Sequence, residues 1–137
     1  MPGRVLVIDA SPRMRGLFTE ILALDKHSVR TATNPTEARE VANPDDSVRP
    51  FDPHIVFVDA ALAPQENDSE PDIAVFGETL RTEWPESEIV LLVDASRPEL
   101  KTKLQRGRLR HFSRPFQIDD LLHLVDGLLS RRKVTGR

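Results

Sequence analysis

Three short, uninterrupted apolar runs each end at an aspartate: Val5-Leu6-Val7-Ile8 before Asp9, Ile55-Val56-Phe57-Val58 before Asp59, and Ile89-Val90-Leu91-Leu92-Val93 before Asp94. Runs this short, rich in branched residues and without polar alternation, read as strands buried on both faces, the pattern of a parallel sheet covered by helices. In such a sheet the carboxyl ends of the strands form the edge where ligands and chemistry collect. The pattern therefore predicts three carboxylates delivered to one edge, with Asp59 as the first residue to consider.

The segments between these runs read as helices. Ser11-Pro12 is an N-cap followed by proline at the first helical position, and Met14, Leu17, Phe18, Ile21 and Leu22 recur at three- and four-residue spacing. Ser28 to Thr33 is a weaker strand suited to a sheet edge, and Asn34-Pro35-Thr36-Glu37 opens a short helix with an Asn-x-x-Glu box. Ser69-Glu70-Pro71-Asp72 caps a helix with a stripe of Ile73, Phe76, Leu80 and Trp84, and Ser96-Arg97-Pro98-Glu99 opens a basic helix whose only large apolar residues are Leu100 and Leu104. Leu109 to Phe112 alternates as an edge strand should, Ser113 to Phe116 reads as a turn, and a last helix presents Ile118, Leu121, Leu122, Val125, Leu128 and Leu129 on one face. Five strand-then-helix units with helices on both faces make a doubly wound, five-stranded parallel α/β sheet.

A chain of 137 residues suits one compact domain, read as residues 1–130 with a basic tail at 131–137. The absence of cysteine excludes disulfides and thiolate metal sites. Apolar runs of about five residues fall far short of the roughly 20 that span a bilayer. A cytoplasmic protein with no membrane partner is expected. The net charge of -3 gives no global attraction to nucleic acid. The clusters Lys101, Lys103, Arg106, Arg108, Arg110 and Arg131, Arg132, Lys133, Arg137 read first as solvated surface. No glycine-rich loop follows the first strand, where Asp9-Ala10-Ser11-Pro12 offers no phosphate cradle, so nucleotide or flavin binding is disfavoured.

An aspartate after one strand is a common cap; the joint order of three, followed by Arg114-Pro115, is far more specific. On the segments Arg4 to Asp9, Ile55 to Asp59, Ile89 to Ala95 and Arg114-Pro115-Phe116, the chain resembles the receiver domain of two-component response regulators over essentially its whole length. The resemblance implies the flavodoxin-like (βα)5 receiver fold. It also implies Mg²⁺ held by acids after the first and third strands, phosphoryl transfer from a histidine kinase to the third-strand aspartate, and a Thr or Ser and a Lys touching the phosphoryl group. Asp59 stands at the acceptor position and Asp9 at one acid position, while Ala10 stands where a second acid is expected. Asp94 replaces the Thr or Ser, Arg114 replaces the Lys, and His111 falls at the aromatic switch position. The family also carries a cis peptide at the position of Pro115.

These departures bear on the chemistry. Asp9, Asp59 and the backbone carbonyl of Ala61 make a weakened Mg²⁺ half-shell, since Mg²⁺ keeps several waters in any case. A second carboxylate at Asp94, about 4 Å from a phosphoryl group at an effective dielectric near 20, costs roughly 4 kcal/mol per charge pair. Arg114 offers a planar fork suited to carboxylate, which leads to the expectation that it bridges Asp59 or Asp94 without phosphate. Asp94 and Asp9 also have a plain role as turn residues ahead of Ser96 and Ser11. The first reading is a degenerate receiver, not an enzyme, that acts through contact with a histidine kinase or output protein, or as a homodimer, using the fourth helix, fifth strand and last helix. The alternative is a working phosphoacceptor at Asp59.

Overall fold

The computed structural model describes residues 2–42, 50–64 and 72–135, with side chains described as far as Arg131. Five strands, β1 (Arg4–Ile8), β2 (Ser28–Ala32), β3 (Ile55–Asp59), β4 (Glu88–Asp94) and β5 (His111–Arg114), form one sheet. They alternate with α1 (Pro12–Ala23), α2 (Pro35–Ala42), α3 (Ile73–Glu83), α4 (Pro98–Arg106) and α5 (Ile118–Thr135), and a 3-10 turn at Ala60–Leu62 follows β3. All pairings are parallel, in the order β2-β1-β3-β4-β5.

The unbroken apolar runs have their expected cause. Successive residues of a strand point to opposite faces, so a strand covered on both sides has no polar position. Leu6, Ile8, Val56, Val58, Leu91 and Val93 pack in one layer with Ala38, Ile73, Phe76, Leu80 and Leu104 of α2, α3 and α4. Val5, Val7, Ile55, Phe57, Val90 and Leu92 pack in the other with Phe18, Ile21, Leu22, Leu121, Val125 and Leu128 of α1 and α5. The chain turns from β2 back past β1 to β3, so the winding direction reverses between β1 and β3. That is the switch point at which a doubly wound sheet opens a crevice at its carboxyl edge. Asp9 and Asp59 end the two strands that flank it.

Most of the capping chemistry is as the sequence implies. Ser11 accepts from the Met14 N–H and the Asn34 side chain from the Glu37 N–H. Helix α3 is capped by Asp72 through the Val75 N–H, and Ser69, expected to open that box, lies outside the described residues, as do most of the expected loops at 43–53 and 60–70. Ser96 is not an N-cap: α4 starts after Arg97 with no side-chain cap. Leu17 and Ile118 are exposed where their spacing placed them in the core, and helix α5 continues through the first residues of the basic 131–137 segment.

Strand β5 begins at His111, two residues later than the alternation from Leu109 suggested, and takes in Ser113 and Arg114 in place of a turn. The reason lies at the end of α4. The Leu109 N–H returns to the Leu104 carbonyl and the Arg108 N–H to that of Gln105, a Schellman closure that uses Leu109 before the sheet can. The Leu109 side chain then presses on Gly77 of α3, where a Cβ would come within 2.6 Å of it.

Arg108 occupies the left-handed position of this closure, φ 55°, where glycine is usual, and Gly107 stands one residue too early at φ -80°. A non-glycine residue there carries a cost of about 1 kcal/mol or more. Arg108→Gly is therefore expected to raise stability by up to about 1 kcal/mol, part of the gain being offset by the freer unfolded chain. Denaturant unfolding at unchanged m-value checks this.

His27 is buried at the opposite corner. Its Nδ1 accepts the Gly3 N–H at 2.9 Å and its Nε2 has no hydrogen-bond partner among the described residues. Burial holds its pKa below the usual 6.5, against the opposing pull of Asp25 and Asp126. Below about pH 6.5 the unfolded chain therefore binds a proton that the folded chain refuses, and stability falls as pH drops from there toward the folded pKa. A His27→Gln variant should lose this part of the acid slope in unfolding measured from pH 7.5 to 5.

Candidate functional site

Asp9, Asp59 and Asp94 each close the same local turn beyond their strands. One carboxylate oxygen accepts the N–H two residues on: Ser11 for Asp9 at 2.9 Å, Ala61 for Asp59 at 3.0 Å and Ser96 for Asp94 at 2.9 Å. An aspartate is the residue that makes such a turn. The plain structural role is real for all three.

Only two of the three also meet. Arg114, the last residue of β5, reaches across the end of β4 and divides its fork. One terminal nitrogen donates to Asp9 Oδ2 at 2.9 Å and the other to Asp59 Oδ1 at 3.2 Å. The Asp9 side chain is 1% exposed, that of Asp59 13% and that of Arg114 20%. The Arg114 backbone is fixed in the sheet, where its carbonyl accepts the Ala95 N–H at 2.8 Å. Arg15 of α1 donates to the Asp9 backbone carbonyl at 2.7 Å and adds a second cation beside the cluster. Burial, first of all, raises the Asp9 pKa above 3.8 and the Asp59 charge adds to that, while the Ser11 N–H and Arg114 pull it back.

The expected bridge thus forms with Asp59 and extends to Asp9, but it does not include Asp94. Register explains this. Asp59 lies level with Leu92, so Asp94 stands two residues further along β4, about 7 Å above the other carboxylates. There it is exposed and turned onto Ser96, whose N–H and hydroxyl both donate to Oδ1 and hold its pKa below 3.8. Ser96 therefore supplies no hydroxyl to the site, and the repulsion expected between Asp94 and a phosphorylated Asp59 is much reduced.

His111 starts β5 level with Leu91, on the face covered by α3 and α4, half-buried. The Arg114–Pro115 peptide is cis. Ala61 meets Asp59 through its N–H, and Ala10 contributes no side-chain oxygen. As placed, these residues do not fit Mg²⁺. The position between the two carboxylates is taken by a guanidinium, and no group of three or more His, Asp or Glu side chains suited to a metal converges among the described residues. The sequence pointed to Asp9, Asp59 and Arg114 and to a bridge from Arg114 to Asp59, but not to the one it makes to Asp9. It missed that Arg114 belongs to a strand, which gives the side chain a fixed origin, and it missed Arg15, which the α1 spacing marks only as a polar position.

The fold is the receiver fold of two-component response regulators. The chain aligns with the CheY-like response regulator receiver domain protein from Methanospirillum hungatei at a TM-score of 0.72 and 16% identity, covering 98% of this chain and 99% of that one. Against the receiver domain of NtrX from Brucella abortus the TM-score is 0.70 at 24% identity, over 92% of this chain and 98% of that one. The longer NtrX chain from the same organism matches over 98% of this chain, which spans 28% of it, with a TM-score of 0.74. No protein-family model and no curated protein matches the chain. Among the described residues no helix is long and apolar enough to cross a membrane.

Removing the cation from this cluster leaves a nearly water-free carboxylate unpaired. Arg114→Met should destabilise the fold by roughly 3 kcal/mol, and Asp9→Asn in the same chain should restore most of the loss. A double-mutant cycle by denaturant unfolding reads both. Equal losses in the single and double variants would assign Arg114 to packing alone.

Proposed function

We propose that this chain is a receiver-type signalling domain that works by contact with another protein and without phosphoryl transfer. One observation carries the reading: the Arg114 guanidinium lies hydrogen-bonded between Asp9 and Asp59, where phosphoryl chemistry needs a hard dication. A guanidinium cannot be deprotonated at neutral pH and offers no open coordination position. Asp59 is thereby paired from within, in one arrangement.

The contact surface is α4, β5 and the exposed face of α5. Helix α4 is held by Leu104 and the partly buried Leu100, which leaves a basic surface around Lys101, Lys103 and Arg106. His111 lies beneath this helix and is the residue whose packing would register a shift of α4. The partner is a histidine kinase, an output protein or a second copy of the chain; direct nucleic-acid or membrane binding and catalysis are not part of the reading. The setting is cytoplasmic.

The second reading, a phosphoacceptor at Asp59 that uses Mg²⁺, draws on two observations. Asp59 is the most accessible carboxylate of the bridged pair, and Asp94 is turned away from it. It requires Arg114 to withdraw from both carboxylates.

Intact-mass measurement after incubation with a small-molecule phosphodonor and Mg²⁺ decides between them. The unmodified protein should gain no phosphate, while the Ala10→Asp, Arg114→Lys double variant should gain one that Asp59→Asn removes. A gain in the unmodified protein that Asp59→Asn abolishes overturns the phosphate-independent reading.

A further inference from the structure

At the end of the sheet opposite the three aspartates, an open cleft of about 320 Å³ lies between the end of α3, the α4–β5 connection and the first residues of β4. Arg81, Arg108 and Arg110 line it together with a single carboxylate, Glu88. These three arginines come from two separate segments of the chain, and each is set differently. Arg81 donates one terminal nitrogen to Glu78 at 2.8 Å and the other to the Arg108 carbonyl at 3.0 Å, which ties the α4–β5 connection to α3. Arg110 stands 3.9 Å from Glu88, too far for a hydrogen bond, with its carbonyl accepting the Leu91 N–H. The Arg108 side chain has no hydrogen-bond or ion-pair partner among the described residues, and its backbone takes the left-handed conformation.

We infer that this cleft is a binding site for a phosphate-type anion, such as a phosphate monoester. Glu88 in the lining and Glu78, bonded to Arg81, leave the three guanidinium groups an excess of one positive charge, carried by Arg108 and Arg110, which favours an anion. Guanidinium forks suit the oxygens of a phosphate, two at a time. Cations at helix C-termini also complement the helix dipoles, and this accounts for Arg81 and Arg108 singly. It does not account for Arg110, which lies on no helix and lines the same cleft. Nor does it account for arginine at a left-handed position where glycine closes the helix at lower cost; the residue is placed there at the expense of stability, in the manner of a functional position. The side chains are partly exposed, so the site is an open, exchanging one, and it is independent of the Asp9, Asp59 and Arg114 cluster at the other edge.

The test is a titration of the full chain with inorganic phosphate at constant ionic strength, followed by amide NMR, with acetate as a parallel arm. Phosphate should give saturable shifts confined to residues 81–89 and 107–111, leaving 9–11 and 59–62 unmoved, and acetate should not. Arg108→Gly, expected to fold at least as stably, and Arg110→Gln should each weaken phosphate roughly tenfold or more. Linear shifts spread over all basic residues, equal response to acetate, or unchanged affinity in both variants would overturn the site.

Discussion

Two carboxylates at the ends of neighbouring strands can share a nearly water-free edge only when a positive charge lies between them, since each alone pays for desolvation and together they repel. In this chain the charge is a side chain from two strands away. The Arg114 guanidinium reaches Asp9 and Asp59 because β5 is the outer neighbour of β4 and its last residue is held level with the end of the sheet by Ala95. The closing of β1, β3 and β5 at one edge is thus a single electrostatic unit, built on the place where the winding direction of the sheet reverses. A chain that places one of its own guanidinium groups at this edge has less need of an ion there.

The segment around β5 also explains why the two ends of the sheet differ. Arg110 and Arg114 flank the same strand, one at each end. At the carboxyl edge the guanidinium pairs with one buried and one partly buried acid. At the amino edge Arg110, Arg108 and Arg81 face two carboxylates, Glu78 and Glu88, and remain open to solvent. The connection between α4 and β5 is spent on this arrangement: Leu109 closes the helix and fills the space over Gly77, so the strand starts late and Arg108 takes a conformation that a glycine would take more easily.

Much of this was legible in the residues. The apolar runs announce strands buried on both faces, because a covered parallel strand has nowhere to put a polar side chain, and the caps at Ser11 and Asn34 are local hydrogen bonds that depend on a few neighbouring residues. Asp9, Asp59 and Arg114 stand out as candidates for the same reason, as charged residues directly after apolar runs or before a proline. The misreadings share a cause. Ser96 looked like a cap because it precedes a helix, yet the nearer Asp94 carboxylate claimed its hydroxyl; Leu17 and Ile118 carry the right spacing but sit at the border of the layer they were to join.

What the sequence by itself determined is the sheet, its helices and the identity of the charged groups at its carboxyl edge, since these follow from period, run length and turn chemistry over a few residues at a time. Only the tertiary structure decided which of those charges meet. Register lifts Asp94 two residues above its neighbours, and strand order brings Arg114, 105 residues from Asp9 and 55 from Asp59, into contact with both. Contacts at that separation depend on how strands are ordered and aligned across the sheet, a property of the packed whole that no local stretch of residues contains.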